Sequence, residues 1–85
     1  MNELRREFWK SAEGHLEEMH EVVFNALAMC TELQETLDNA ADLGLREYNS
    51  HIKFGEPNYI AHEYARAAII RSMDSVAENF FPESD

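Results

Sequence analysis

The first half of the chain carries one uninterrupted heptad pattern, and this feature constrains the fold most. From residue 9 to residue 40, apolar residues return at alternating spacings of three and four, the pattern of a helix that packs along one side. One seam position holds Trp9, Leu16, Val23, Cys30 and Leu37, and the other holds Ala12, Met19, Ala26, Leu33 and Ala40. The pattern predicts a single long helix over about residues 3–43, with Gly14 as the point where it bends.

Beyond residue 43 the heptad pattern is lost, and residue types that are typical of loops appear. Gly44 is expected just past the end of the first helix, where a positive φ is needed. Residues 44–56 then form a hinge with room for a short helix, and a second helix begins at Pro57 or Asn58 and covers about residues 57–81. Residues 82–85 form a frayed tail. The predicted fold is therefore all-α: one domain, residues 1–85, built as a long helical hairpin.

The two predicted helices differ in length, and the difference predicts assembly. A helix of forty residues spans roughly 60 Å, so the shorter second helix leaves the amino-terminal end of the first one overhanging. Residues 22–31 also carry no charge, which is typical of a helix surrounded by other helices. We expect a helical-bundle oligomer, a dimer or larger, whose interface contains Leu4, Phe8, Trp9, Val22, Val23, Phe24, Ala26, Met29 and Cys30.

Composition excludes several classes of partner and location. Seventeen acidic against seven basic residues give a net charge of −10, which repels nucleic acid. The single cysteine excludes an intrachain disulfide, and on the seam it is expected to be a buried apolar residue. No stretch approaches the roughly 18 apolar residues of a membrane span, and no signal peptide is recognisable. A cytoplasmic protein is expected, in the host cytoplasm if the source is viral.

The acidic residues are segregated, and this favours protein binding as the function. Residues 12–44 contain no Lys or Arg. Carboxylates spaced four apart along a helix can occupy a basic groove on a target. We therefore expect a small non-enzymatic binding protein of the kind that phages use to inhibit host defence factors, acting on an electropositive protein. Its two acidic faces consist of Glu13, Glu17, Glu18 and Glu21, and of Glu32, Glu35, Asp38 and Asp42.

The start of the second helix offers an alternative, nucleotide binding. Aromatic rings and guanidinium groups near a helix amino terminus can stack on a base and pair with phosphate, and the candidates are Tyr59, Tyr64, Arg66 and Arg71. Residues 56–61 (EPNYIA), which open this helix, resemble the hairpin of the phage anti-CBASS and anti-Thoeris family over about 30 residues. That resemblance implies a small helical oligomer that sequesters cyclic or signalling nucleotides without cleaving them.

Catalytic and metal-binding patterns are weaker. Residues 18–21 (EMHE) and 35–38 (ETLD) resemble the magnesium signature of MazG-type nucleotide pyrophosphohydrolases, whose carboxylates converge from facing helices. On one continuous helix the two motifs would be roughly 20 Å apart, so hydrolysis is not expected. Glu17 and His20 match the Glu-x-x-His spacing of iron-binding bundles, but in a single copy. The remaining histidines, His15, His51 and His62, are scattered along the chain. We expect no catalytic residues, no metal and no cofactor.

Overall fold

The computed structural model describes residues 3–80, which form four α-helices and no strand. The helices are α1 (Glu3–Met19), α2 (Glu21–Met29), α3 (Leu33–Lys53) and α4 (Asn58–Phe80). The all-α prediction is thus confirmed, and α4 lies where the second helix was expected. The predicted tail and residue 81 lie outside the described residues. No helix within residues 3–80 combines the length and the apolar character needed to cross a membrane.

Three of the helices form a bundle, and α2 covers one end of it. Contacts pair the start of α1 with the middle of α3, Arg5 with Asp42 and Trp9 with Asp38, so these helices are antiparallel. Glu7 and His15 of α1 contact His62 and Asp74 of α4, in that order along both helices, so α1 and α4 are parallel. Small residues on α3 and α4 let the helices approach one another. The core is centred on five large, fully buried side chains: Phe8, Leu16, Leu37, Ile69 and Met73.

The predicted long first helix is wrong, because the chain breaks twice within the heptad. At His20 the backbone leaves the helical region (φ −138°, ψ 55°), and between Met29 and Leu33 it turns, with Thr31 at φ 61°. Local hydrogen bonds continue through the first break, from His20 N–H to the Leu16 carbonyl and from Phe24 N–H to the His20 carbonyl. The two breaks divide the heptad region among α1, α2 and α3, which pack together. Much of the apolar seam is therefore buried within a single chain.

The predicted hinge is also wrong over most of its length. Helix α3 runs through Gly44, which is buried in the bundle, and ends at Lys53. The chain reverses only at residues 54–57, where Gly55 adopts φ 85°. Its N–H donates to the Ile52 carbonyl at 2.9 Å, and the next N–H, of Glu56, donates to the His51 carbonyl at 3.1 Å. This pair of bonds is the Schellman ending of a helix, which needs a left-handed residue.

The predicted amino-terminal overhang does not exist. Phe8 and Ala12 are 0% exposed, and Leu4 and Trp9 pack against the core. Of the residues expected in an oligomer interface, Phe8 and Val23 are therefore already buried within their own chain, and Phe24 packs against the same core. Val22, Met29 and Cys30 are exposed, so the expectation that Cys30 is buried is wrong. Oligomerisation itself stays a prediction.

Candidate functional site

Two histidines and one carboxylate meet where α1, α2 and α4 come together. His15 projects from the last turns of α1, His20 lies at the break before α2, and Asp74 lies on α4. The Nε2 atoms of both histidines are 2.8 Å from the same oxygen, Oδ1 of Asp74. The two imidazole rings stand edge to face, with centroids 5.8 Å apart. The expectation that His15 is one of the scattered histidines is thus wrong, because it lies beside His20.

The environment of this triad favours an ionised carboxylate. Hydrogen bonds from His15 and then from His20 lower the pKa of Asp74 below its ordinary value, and partial burial opposes them without reversing the direction. All three side chains remain reachable by solvent, that of Asp74 being 49% exposed. The triad can therefore accept a ligand without unfolding.

An open groove of about 590 Å³ begins at the triad and runs between α2 and the last turns of α4. His20 and Asp74 line one part of it, together with the carboxylates Glu21 and Glu78. The remaining lining residues make its surface largely apolar: Met19, Val22, Val23 and Ala77. The groove thus joins the polar triad to the outer face of α2.

One flank of α2 is apolar and uncovered. Val23 and Leu27 point into the core, and the exposed Asn25 lies on the opposite side of the helix. We call the apolar flank the α2 ridge, and it consists of Val22, Ala26 and Met29 together with Met19, the last residue of α1. Met19, Val22 and Met29 are 66%, 67% and 85% exposed, and Ala26 is half-buried. Val22, Ala26 and Met29 follow one another at spacings of four and three along α2, and Met19 lines the same groove as Val22.

The eight acidic residues of the predicted binding faces divide into two groups. Asp38 and Asp42 are engaged within the chain: Arg5 Nε donates to Asp42 Oδ1 at 3.0 Å, and Trp9 Nε1 donates to Asp38 Oδ1 at 3.1 Å. The others have no ion pair within residues 3–80, and all except the half-buried Glu13 are exposed: Glu17, Glu18, Glu21, Glu32 and Glu35. The free carboxylates therefore lie beside the two ends of the α2 ridge in the sequence.

The four residues considered for nucleotide binding do not share one surface. Tyr59 and Arg66 are seven positions apart on α4 and lie on one face, whereas Tyr64 and Arg71 lie on another, about 140° around the helix. The ring of Tyr64 stacks on His51, with centroids 4.1 Å apart and planes 6° apart. Arg66 instead lines a cleft of about 260 Å³ together with Lys10 and His15.

The carboxylates of the MazG-like motifs lie on different helices, contrary to the expectation that one helix carries them all. Glu18 lies in the last turn of α1, Glu21 begins α2, and Glu35 and Asp38 belong to α3. They still do not converge, because the Asp38 carboxylate contacts Trp9 and Arg5. Within the described part of the chain, the potential metal ligands that come together are His15, His20 and Asp74.

Sequence reasoning missed Asp74 and His15. The spacing of Glu17 and His20 drew attention to one of the two histidines, but Glu17 is exposed and is not part of the cluster. His15 and His20 are separated from Asp74 by 59 and 54 residues, and no local pattern signals a contact across that distance. The five-residue spacing of the histidines is the one available hint, since the break at His20 turns both rings to the same side.

Comparison with known proteins supplies no relative from which a function could be transferred. No protein-family model, no curated protein and no solved structure matches this chain.

Proposed function

We propose that the chain is a non-enzymatic protein-binding module whose binding surface is the α2 ridge. The observation that carries the proposal is the exposure of Val22 and Met29, 67% and 85%, on a helix whose other side is already in the core. Full burial of a Val or Met side chain contributes about 1.5–3 kcal/mol. An apolar stripe of this kind is rarely left uncovered on a protein surface.

The acidic groups around the ridge define the chemistry of the partner. Glu18 and Glu21 precede and enter α2, and Glu32 and Glu35 follow it, all exposed and without an ion pair in residues 3–80. A partner with an apolar groove bordered by Lys or Arg complements both features. A second copy of this chain brings the same carboxylates and a net charge of −10 to the contact, so we favour an electropositive partner over self-association.

The finer proposal concerns what binding achieves. Carboxylates without internal partners can cover a basic surface that a target uses to bind another ligand. A target whose surface is covered in this way can no longer bind that ligand and is inhibited. On this basis we keep inhibition of a host factor, of the phage anti-defence type, as the biological role. The apolar ridge supplies affinity, and the acidic rim supplies orientation and association rate.

Capture from an extract of the source cells, read by quantitative mass spectrometry, tests the proposal when matched variants are compared. The ridge variant is Val22→Ser with Met29→Ser. The control is Phe54→Ser, which removes an 83% exposed apolar side chain at the turn between α3 and α4. A protein retained by the wild type and the control but lost by the ridge variant supports the proposal. Equal retention by all three places binding elsewhere and contradicts it.

A charge series separates the rim from the ridge. The variant Glu18→Gln, Glu21→Gln, Glu32→Gln and Glu35→Gln keeps the side-chain shape and removes four negative charges. We expect its association with the captured partner to slow and to lose most of its salt dependence. An unchanged rate and salt dependence would show that the partner is not electropositive.

The cleft formed by Lys10 and Arg66 carries the alternative function, nucleotide sequestration. Two cationic side chains beside His15 could pair with phosphate, although Glu18 lines the same cleft. This hypothesis predicts binding of a cyclic dinucleotide in a calorimetric titration, abolished by Arg66→Ala with Lys10→Ala and retained by Tyr64→Ala, since Tyr64 lies outside this cleft. Absence of binding by the wild type would eliminate it.

A further inference from the structure

We propose that His15, His20 and Asp74 form a binding site for a zinc ion, independently of the partner-binding function. One ligand atom from each residue, Nε2, Nε2 and a carboxylate oxygen, lies within 4.8 Å of the other two. In a tetrahedral zinc site with bonds of about 2.0–2.1 Å, neighbouring ligand atoms are about 3.3 Å apart. The contacts of 2.8 Å from Asp74 Oδ1 to the two nitrogens must therefore open by about half an ångström.

The orientation of the three groups calls for a proton or a cation at each nitrogen–oxygen contact. An imidazole nitrogen without a proton and a carboxylate oxygen both present lone pairs, and such atoms repel one another unless a proton or a cation lies between them. Here both imidazoles present Nε2, and not Nδ1, to the same carboxylate oxygen. A zinc ion replaces both ring protons at once, whereas hydrogen bonding needs a proton on each Nε2.

The ligand types favour a transition-metal ion such as zinc over Mg²⁺ and Ca²⁺. Mg²⁺ and Ca²⁺ prefer sites made wholly of oxygen atoms, and two imidazole nitrogens with one carboxylate do not suit them. Zinc accepts this combination readily, with three protein ligands and a fourth position left open. Two of the three ligands, His20 and Asp74, line the same groove as Glu21 and Glu78, so water or one of these carboxylates can complete the coordination.

The placement of the three ligands gives the ion a structural effect. His15 is on α1, His20 is at the break, and Asp74 is on α4, so one ion would join three segments that meet only when the chain is folded. Binding to the folded chain alone raises the free energy of unfolding by RT ln(1 + [Zn²⁺]/Kd). It would also hold the break at His20, and with it the direction in which α2 leaves α1.

The experiment uses the tag-free full chain carrying Cys30→Ser, because the exposed thiol of Cys30 could bind zinc by itself. After treatment with a chelator, zinc is titrated calorimetrically into this protein and into His15→Gln, His20→Gln and Asp74→Asn variants of it. His51→Gln is the control, since that histidine lies near the carboxyl end of α3, outside the proposed site, and contacts Glu47 and Glu56. Circular dichroism without metal verifies that each variant is folded.

We expect one zinc ion per chain, weakened about tenfold or more by each of the three substitutions and changed less than about twofold by His51→Gln. X-ray absorption of the zinc-loaded protein needs no variant beyond Cys30→Ser, and should show two imidazole ligands. Each of three results would overturn the proposal. The first is a spectrum with fewer than two imidazole ligands, and the second is a dissociation constant above about 100 µM, a binding free energy weaker than roughly −5.5 kcal/mol. The third is equal weakening by His51→Gln, which would show nonspecific binding.

Discussion

Gly44 of α3 lies so close to Ile69 of α4 that a Cβ atom at position 44 would stand 2.6 Å from Ile69 Cδ1. The same atom would be 3.0 Å from Phe8 Cδ2 and 3.1 Å from Ile69 Cγ1. Both neighbours are 0% exposed, so neither can move aside into solvent. The contact of α1, α3 and α4 therefore depends on the absence of a side chain at one position.

Gly44→Ala should destabilise the chain in spite of the better helix propensity of alanine. The substitution gains about 1 kcal/mol of propensity, but overpacking a tight core costs about 1–3 kcal/mol, and we expect a net loss of about 1 kcal/mol. Gly14→Ala is the matched control, because a Cβ at Gly14 meets no atom within 4 Å. It should stabilise α1 by up to about 1 kcal/mol. Urea unfolding of both variants measures the difference.

A double variant assigns the loss to the predicted contact. Ile69→Val removes Cδ1, the nearest atom, at a cost of about 0.5–1.5 kcal/mol by itself. Combined with Gly44→Ala it should cost clearly less than the sum of the single changes, since the two sites touch. Strict additivity, or a Gly44→Ala variant as stable as Gly14→Ala, would show that α3 and α4 are further apart than described.

Thr31 carries local backbone strain that glycine would relieve. Its φ of 61° lies in the left-handed region, which costs a residue with a Cβ about 1–2 kcal/mol relative to glycine. Thr31→Gly should therefore be more stable than Thr31→Ala by about 1 kcal/mol. Both substitutions lose the bond from Thr31 Oγ1 to the Cys30 carbonyl, so that loss cancels. Equal stability in thermal unfolding would place the end of α2 elsewhere.

Asp38 should matter for the fold of this chain and not for its partner. Its carboxylate accepts from the indole Nε1 of Trp9 at 3.1 Å, and Arg5 approaches the same oxygen. Asp38→Ala should cost about 1 kcal/mol and shift the fluorescence of Trp9, the single tryptophan. Asp38→Asn keeps an acceptor and should preserve the spectrum. An unchanged spectrum in Asp38→Ala would mean that Trp9 makes no such bond in solution.

Cys30 should react as a free surface thiol. It is exposed at the carboxyl end of α2, so Ellman's reagent should modify it in native buffer within a few-fold of its rate in denaturant. Protection by about tenfold or more, increasing with protein concentration, would mean that this end of α2 is covered by a second copy of the chain. The variant Cys30→Ser serves as the blank.

The all-α class and the position of α4 could be predicted from the sequence because their signals are local. Pro57 and Asn58 mark the start of α4, and its small residues at helical spacing mark the buried side. The breaks at His20 and Thr31 could not be predicted from the sequence, since neither position carries Gly or Pro. At His20 the chain still makes hydrogen bonds of helical spacing on both sides, so nothing in the heptad registers the change of direction.

The core and the triad depended on contacts between distant parts of the chain. The heptad assigned Val23 and Ala26 to the seam, whereas the structure buries Val23 and Leu27 and leaves Ala26 half-exposed, because α2 packs at a different angle from α1. Gly44 was predicted to end a helix on propensity alone, and its actual role follows from Ile69, a neighbour in space. Asp74 could not be assigned to the triad from the sequence, because its contacts with His15 and His20 exist only when α4 lies beside α1.

Methionine oxidation tests the central claim, that the α2 ridge is a free surface which a partner covers. Met19 and Met29 are 66% and 85% exposed, whereas Met73 is 1% exposed and serves as the internal control. We expect peroxide to oxidise Met19 and Met29 rapidly in the purified chain at any concentration, and Met73 slowly. In the complex captured from source-cell extract, Met29 should become protected. Two results would contradict the account: Met29 already protected in the purified chain, which would indicate self-association, or Met29 still reactive in the captured complex.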